Sequence, residues 1–263
     1  TMAAPVSPAK QSARQIADAF QIISGTLPGA EVMTDGALRM AYAGTPSPFF
    51  NYFLLDQNLP LDELRRHLGQ IRETTEGRSP QWVLLGPEEV FGAAACEALE
   101  AREILPLFSV TGMFAERLAP PGLVPQESLS FSTHWSREEI SAFTRINMLA
   151  NDMPADDGEA SVTSYFLLDP RCYPVVAYES GEAVSAALAI LLNDCIYLAW
   201  IGTLPERQGR GYGEATIREA VRRAQAASGH EAVSLHTAEP DRGLMRQLGL
   251  QPVARFQGFG HAL

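Results

Sequence analysis

Residues 206–214, Glu-Arg-Gln-Gly-Arg-Gly-Tyr-Gly-Glu, put glycine at 209, 211 and 213, directly ahead of an amphipathic helical pattern that runs to Ser228. Glycine is a poor helix former, so three of them at a helix start need a reason. A helix N-terminus has unpaired N–H groups and the positive end of the helix dipole. Glycines let the chain turn so that those groups converge and an anion can approach the backbone closely. The stretch therefore reads as a phosphate or pyrophosphate cradle made by the N–H groups of Gly209 through Glu214. The plainer alternative is a turn that only needs positive φ. Two known phosphate loops do not fit. A P-loop ends G-K-[ST], and no lysine is present here. A dinucleotide fingerprint, G-x-G-x-x-G, started at Gly209 would place its third glycine at Glu214. The pattern present is Q-x-x-G-x-G, from Gln208, Gly209, Arg210, Gly211 and Tyr212 to Gly213.

Other chemistries find little support. Lys10 is the only lysine, which sets aside Schiff-base and P-loop mechanisms. Cys96, Cys172 and Cys195 are odd in number and far apart, so neither a disulfide framework nor a zinc knuckle is expected. His230-Glu231 opens like a zincin motif, but Leu235 stands in place of the second histidine. No metal is expected. A net charge of −11 argues against binding to a nucleic-acid backbone. No apolar run reaches membrane-spanning length, and residues 1–15 lack a basic-then-apolar leader, so a cytoplasmic location is expected. Against that acidic background, residues 206–223 hold five arginines and three glutamates, which suits a ligand bearing phosphates.

The elements that must position this loop follow from periodicity. A helix is expected over 7–24, strands over 30–43 and 48–55, a helix over 59–77, a strand at Gln81–Gly86, a helix over 92–102 and a strand over 104–111. The Pro/Gly-rich stretch Leu118–Ser130 marks a boundary near 120. Beyond it the expected order is β-α-β-β-β-α-β-α-β, with Ser136 and Glu139 forming a capping box at the first helix. The fourth strand of this half ends at Thr203 and feeds the glycine loop. Gly202 would allow a bulge or a close approach there.

With the strand, the Thr-Leu-Pro-Glu-Arg connection, the Q-x-x-G-x-G loop and the helix in view, residues 199–224 resemble motif A of the GNAT acetyltransferase superfamily. Residues 234–256 look like the closing strand–helix–strand of its tandem branch, in which a degenerate GNAT-like half precedes an intact one. The resemblance implies an α/β (α+β) fold with a central, mostly antiparallel sheet flanked by helices, and two halves, 1–120 degenerate and 121–263 intact. "FFNYFLLD" (49–56) against "SYFLLD" (164–169) hints at repetition, and the first half has no second glycine loop. The resemblance further implies acetyl-CoA as co-substrate. Gln208–Glu214 would hold its pyrophosphate. Ile201, Gly202 and Thr203 would pair with the amides of its pantetheine arm.

The implied activity is N-acetyl transfer to an amine of a small molecule or peptide, with no nucleic-acid or membrane partner and a homodimer left open. A backbone N–H near Trp200 or Ile201 could meet the oxyanion, and Glu206 and His236 are the candidate bases. Each base candidate also has a plain structural reading, as a surface carboxylate and a core histidine. The family's tyrosine acid falls at Met245, which cannot donate a proton, and Asp241 stands where the branch shows a small residue. A catalytically silent acyl-CoA-binding sensor or scaffold is therefore the alternative. The first half is expected to cover the acceptor cleft.

Overall fold

An Asp-Gly dipeptide starts the first sheet. Gly36 takes φ 58° and turns the chain between β1 (Glu31–Asp35) and β2 (Leu38–Tyr42), which pair antiparallel with Asp35 opposite Leu38. The single strand expected over 30–43 is thus a hairpin, and the signal for it was the Asp-Gly turn. The computed structural model describes residues 6–122, 128–151, 157–238 and 242–261. It divides into two compact units. One comprises Thr1–Met113, His236–Pro240 and Pro252–Leu263, the other Phe114–Leu235 and Asp241–Gln251. The chain thus returns to the first unit at its end.

In the first unit, α1 (Pro8–Gly25) is capped by Ser7, whose hydroxyl accepts from the Lys10 N–H. After β3 (Asn51–Leu55), α2 (Leu61–Thr75) crosses to β4 (Val83–Pro87), which pairs parallel to β3. Then come α3 (Ala93–Glu100) and β5 (Leu105–Ala115). The last strand of the chain, β11 (Gln251–Gly260), pairs antiparallel with β4, and the strand order is β1-β2-β3-β4-β11-β5. Its core includes Leu38, Phe53, Leu68, Trp82, Leu84 and, from β11, Phe259.

In the second unit, β6 (Leu129–Phe131) precedes α4 (Arg137–Ala150), where Ser136 and Glu139 make the expected capping box. The next helix, α5 (Asp157–Leu167), had no counterpart in the periodicity. It contains Ser164–Leu167 of "SYFLLD", whereas "NYFLL" of the similar earlier string is strand β3. The shared letters are therefore not a structural repeat. Strands β7 (Cys172–Glu179), β8 (Glu182–Leu191) and β9 (Ile196–Thr203) form antiparallel pairs, and α6 (Tyr212–Ser228) crosses to β10 (Val233–Thr237), parallel to β9. The short α7 (Arg242–Gln247) follows. The strand order is β10-β9-β8-β7-β6. Gly202 faces α4 and Thr203 faces α6, so the two helices cover opposite faces of β9. Both units show the mixed α/β, mostly antiparallel architecture expected. No described helix is long and apolar enough to cross a membrane.

Candidate functional site

Strand β9 carries a bulge where it approaches the loop. Ala186 faces Gly202 but Leu188 faces Ala199, so Trp200 and Ile201 together oppose Ala187. Trp200 takes the left-handed conformation, φ 48°, and its ring lies 5.2 Å from Phe166 and 6.5 Å from Phe143. The bulge therefore falls at Trp200–Ile201, just before Gly202. Gly202 serves close packing instead: a Cβ there would lie 2.9 Å from that of Ala150 on α4.

The hydrogen-bond phase of β9 decides which of its groups are available. Leu204 N–H donates to the Val184 carbonyl at 3.0 Å, so the backbone of Leu204 and Gly202 faces β8. The Gly202 carbonyl also accepts from Ser185 Oγ at 3.0 Å. Alternation then turns the backbone groups of Ile201 and Thr203 toward the other edge. On that edge the pairing with β10 stops at Leu198 opposite Leu235. Among the described residues, the edge that Ile201 and Thr203 face has no β10 pairing beyond Leu198, whereas Gly202 faces β8. Thr203 is further engaged: its carbonyl accepts from Gln208 Nε2 at 3.3 Å, and its hydroxyl lies 2.9 Å from Ser185 Oγ.

After the turn Pro205–Arg207, Gly209 (φ 76°) and Gly211 (φ 80°) are both left-handed, positions that favour glycine. Gly211 is the N-cap of α6, and its carbonyl takes the first helical bond, from Ala215 N–H at 3.1 Å. The N–H groups of Tyr212 and Gly213 precede that first bond in the first turn of α6. Space in front of Gly209 is open, with no heavy atom within 4 Å of a Cβ built there. Gly213 is tight against Thr203, whose Oγ1 would sit 3.2 Å from an added Cβ. Alternating left-handed turns that lead into a helix N-terminus make an anion-binding concavity.

The side chains around the loop are arranged differently from the sequence expectation. Tyr212 is buried against Ala177 and Val184, and its hydroxyl donates to Glu179. The Glu214 carboxylate is buried, accepting from Gly122 N–H at 3.0 Å and from Arg218 Nε at 2.9 Å. Only the backbone of these two residues can serve an anion. The arginines are largely committed: Arg207 to Glu179 and Glu182, Arg218 to Glu214, Arg222 and Arg223 to Glu219. Arg210 is half-exposed, 3.9 Å from Glu179 and hydrogen-bonded to Tyr212. Glu179 and Glu182 thus offset the local positive excess read from 206–223. Donation from Tyr212, with Arg207 and Arg210 nearby, holds the Glu179 carboxyl below the usual range. Sequence reasoning missed Glu179, which lies 33 residues from its tyrosine partner and carries no local signal.

Glu206 is exposed on the turn just before the glycines. His236 lies in the first unit, its Nε2 3.0 Å from Ser12 Oγ and its ring edge-on to Phe256 at 4.4 Å. A Cβ at Gly112 would come within 3.1 Å of that Nε2. Burial pushes the His236 pKa down to about 3, which keeps the ring neutral and weakly basic. Met245 is buried on α7, and Asp241 lies outside the described residues. Cys172 and Cys195 are buried and Cys96 exposed, all three as free thiols, and no metal-binding cluster exists among the described residues.

Residues 135–250 match the Acetyltransferase (GNAT) family. No curated protein matches the chain in sequence. Among solved structures, the chain resembles a GCN5-related N-acetyltransferase from Kribbella flavida, with 20% identity, 96% of each chain covered and a TM-score of 0.70. It also resembles a tandem GNAT protein from the clavulanic acid biosynthesis pathway, with 13% identity, 97% of this chain and 96% of that one covered, and a TM-score of 0.58. A third, a GCN5-related N-acetyltransferase from Sphaerobacter thermophilus, shares 18% identity over 79% of this chain and 72% of that one, with a TM-score of 0.57. At these identities the structural matches establish the fold.

Proposed function

We propose that the chain, whose residues 135–250 match the Acetyltransferase (GNAT) family, is an N-acetyltransferase that takes its acetyl group from acetyl-CoA and passes it to an amine of a small molecule or peptide. The observation that carries this reading is the conjunction of the 209–214 cradle with the edge of β9 at Ile201 and Thr203, beyond its pairing with β10. The residues fit the group. Backbone N–H groups from Gly209 to Glu214 would hold the pyrophosphate, and the half-exposed Arg210 would add a positive charge. Ile201 and Thr203 offer backbone partners for pantetheine amides. Bound acetyl-CoA supplies an activated thioester.

The chain then does three things. The bulge at Trp200–Ile201 presents a backbone N–H to the oxyanion that develops on the acetyl carbonyl. Glu206, directly or through a water, takes the proton that the amine loses as its nitrogen bonds the carbonyl carbon and the C–S bond breaks. Met245 gives no proton to the departing thiolate. A thiol pKa of ~8.5 makes that thiolate an adequate leaving group near neutral pH without one. His236, neutral and weakly basic, serves packing in this reading and not proton transfer.

We assign the first unit to a degenerate GNAT-like half on topology. Its order β1-β2-β3-α2-β4-α3-β5 repeats β7-β8-β9-α6-β10-α7-β11 of the second half, and in both a helix joins two parallel strands, β3 to β4 and β9 to β10. The test is release of free thiol from acetyl-CoA over a panel of amines, amino acids and peptide N-termini. Turnover with at least one amine, lowered in Glu206→Ala with coenzyme affinity kept, is the expected result. Coenzyme binding without turnover on any amine would replace this reading with that of a silent acyl-CoA binder.

A further inference from the structure

Resting on the coenzyme reading above, the geometry points to Glu179 as a positioning residue that holds both ends of the glycine loop in the shape that receives the pyrophosphate. Glu179 ends β7, and its carboxylate is almost fully buried. One oxygen accepts from the Tyr212 hydroxyl and the other from Arg207. These partners bracket the loop: Arg207 precedes Gly209 and Tyr212 follows Gly211. Arg207 also reaches Glu182 at 2.9 Å, across the hairpin that Ser180 and Gly181 turn. The Tyr212 ring is fixed against Ala177 and Val184 of the same two strands.

The physical need for such an anchor is plain. A segment with three glycines in six residues samples many backbone conformations, and a cradle of N–H groups binds tightly only if it is already formed. The αL positions at 209 and 211 permit the loop shape but do not select it. One carboxylate joined to residues 207 and 212 does select it. A lone negative charge near a phosphate site would repel the ligand. Here the flanking Arg207 and Arg210 offset that charge, so the carboxylate orders the loop without a net electrostatic penalty.

The experiment is titration calorimetry with coenzyme A on the full chain, with melting temperature recorded for each variant. Glu179→Ala should weaken coenzyme A binding by about tenfold, through lost preorganisation. Glu179→Gln keeps an oxygen that accepts from Tyr212 or Arg207, and should recover affinity to within about threefold of the parent. Tyr212→Phe keeps the buried ring and loses only the hydroxyl. It should fall between the two, and it carries the test if Glu179→Ala does not fold. Affinity unchanged or improved in folded Glu179→Ala overturns the proposal, as does a loss in Glu179→Gln as large as that in the alanine variant, or no loss in Tyr212→Phe. Failure of the parent to bind coenzyme A would instead sink the coenzyme reading itself.

Discussion

Gly211→Val tests the cradle most directly. Gly211 sits at φ 80°, ψ 3° as the N-cap of α6. A left-handed conformation costs an L-residue about 1–2 kcal/mol, and a β-branched side chain falls at the upper end of that range or beyond. Valine at 211 has two outcomes. It keeps the loop shape and stores that strain, with its γ-methyls crowding the face where the phosphate must come close. Alternatively the loop relaxes, and the N–H groups of 212–214 no longer converge. Either way binding should drop by at least tenfold, because about 1.4 kcal/mol corresponds to that factor.

The neighbouring glycines serve as internal controls with different reasons behind them. Gly209→Ala meets nothing within 4 Å and bears only the strain of φ 76°, so its loss should be smaller. Gly213 is helical. Alanine there would sit 3.2 Å from Thr203 Oγ1 but gains about 1 kcal/mol of helix propensity, so the change should be near neutral. Calorimetry with coenzyme A gives the affinities, and circular dichroism with a melting curve shows that each variant is folded. A folded Gly211→Val chain with unchanged affinity, or one no worse than Gly213→Ala, would refute the reasoning.

Three further outcomes are expected. Coenzyme titration should saturate at one per chain, since α2, the first unit's counterpart of α6, carries Asp62 and Glu63 in its first turn and no glycine lies in residues 56–60 ahead of it; a stoichiometry of two would contradict this. Phe256→Ala should cost about 3–5 kcal/mol, as for a fully buried phenylalanine, and the loss should register in the first unit; denaturation followed at Trp82, with Trp135 and Trp200 replaced by Phe, tests it, and a loss below about 1 kcal/mol would speak against the packing described. His236 is depressed to about 3 when folded, so the unfolded chain binds the proton more readily between pH 3 and 6.5, and stability should fall as pH drops through that window. The slope from this group is at most about 1.4 kcal/mol per pH unit, reduced by the part of the residue that reaches solvent, and His236→Gln should flatten it in acid-denaturation curves.

The sequence by itself determined what depends on local rules. The glycine triplet, the strand before it and the helix after it required only backbone sterics and periodicity, and the Ser136–Glu139 capping box only a spacing of three. The Asp35-Gly36 hairpin was also there to be read. Tertiary structure decided whatever depended on distant partners. "YFLL" became strand at 52–55 and helix at 165–167 because packing overrides the weak preferences of so short an apolar run. The last strand joined β4, more than 160 residues earlier in the chain, since strand pairing carries no local code. The bulge fell at Trp200–Ile201 and not Gly202, because α4 needed the glycine for close approach. The net positive charge of 206–223 lost its force once Glu179 and Glu182, from another hairpin, came within ion-pair distance. The backbone groups of a phosphate cradle can be read from sequence because glycine conformation is local. The side-chain electrostatics around it cannot, because they are set by whichever strands the fold brings alongside.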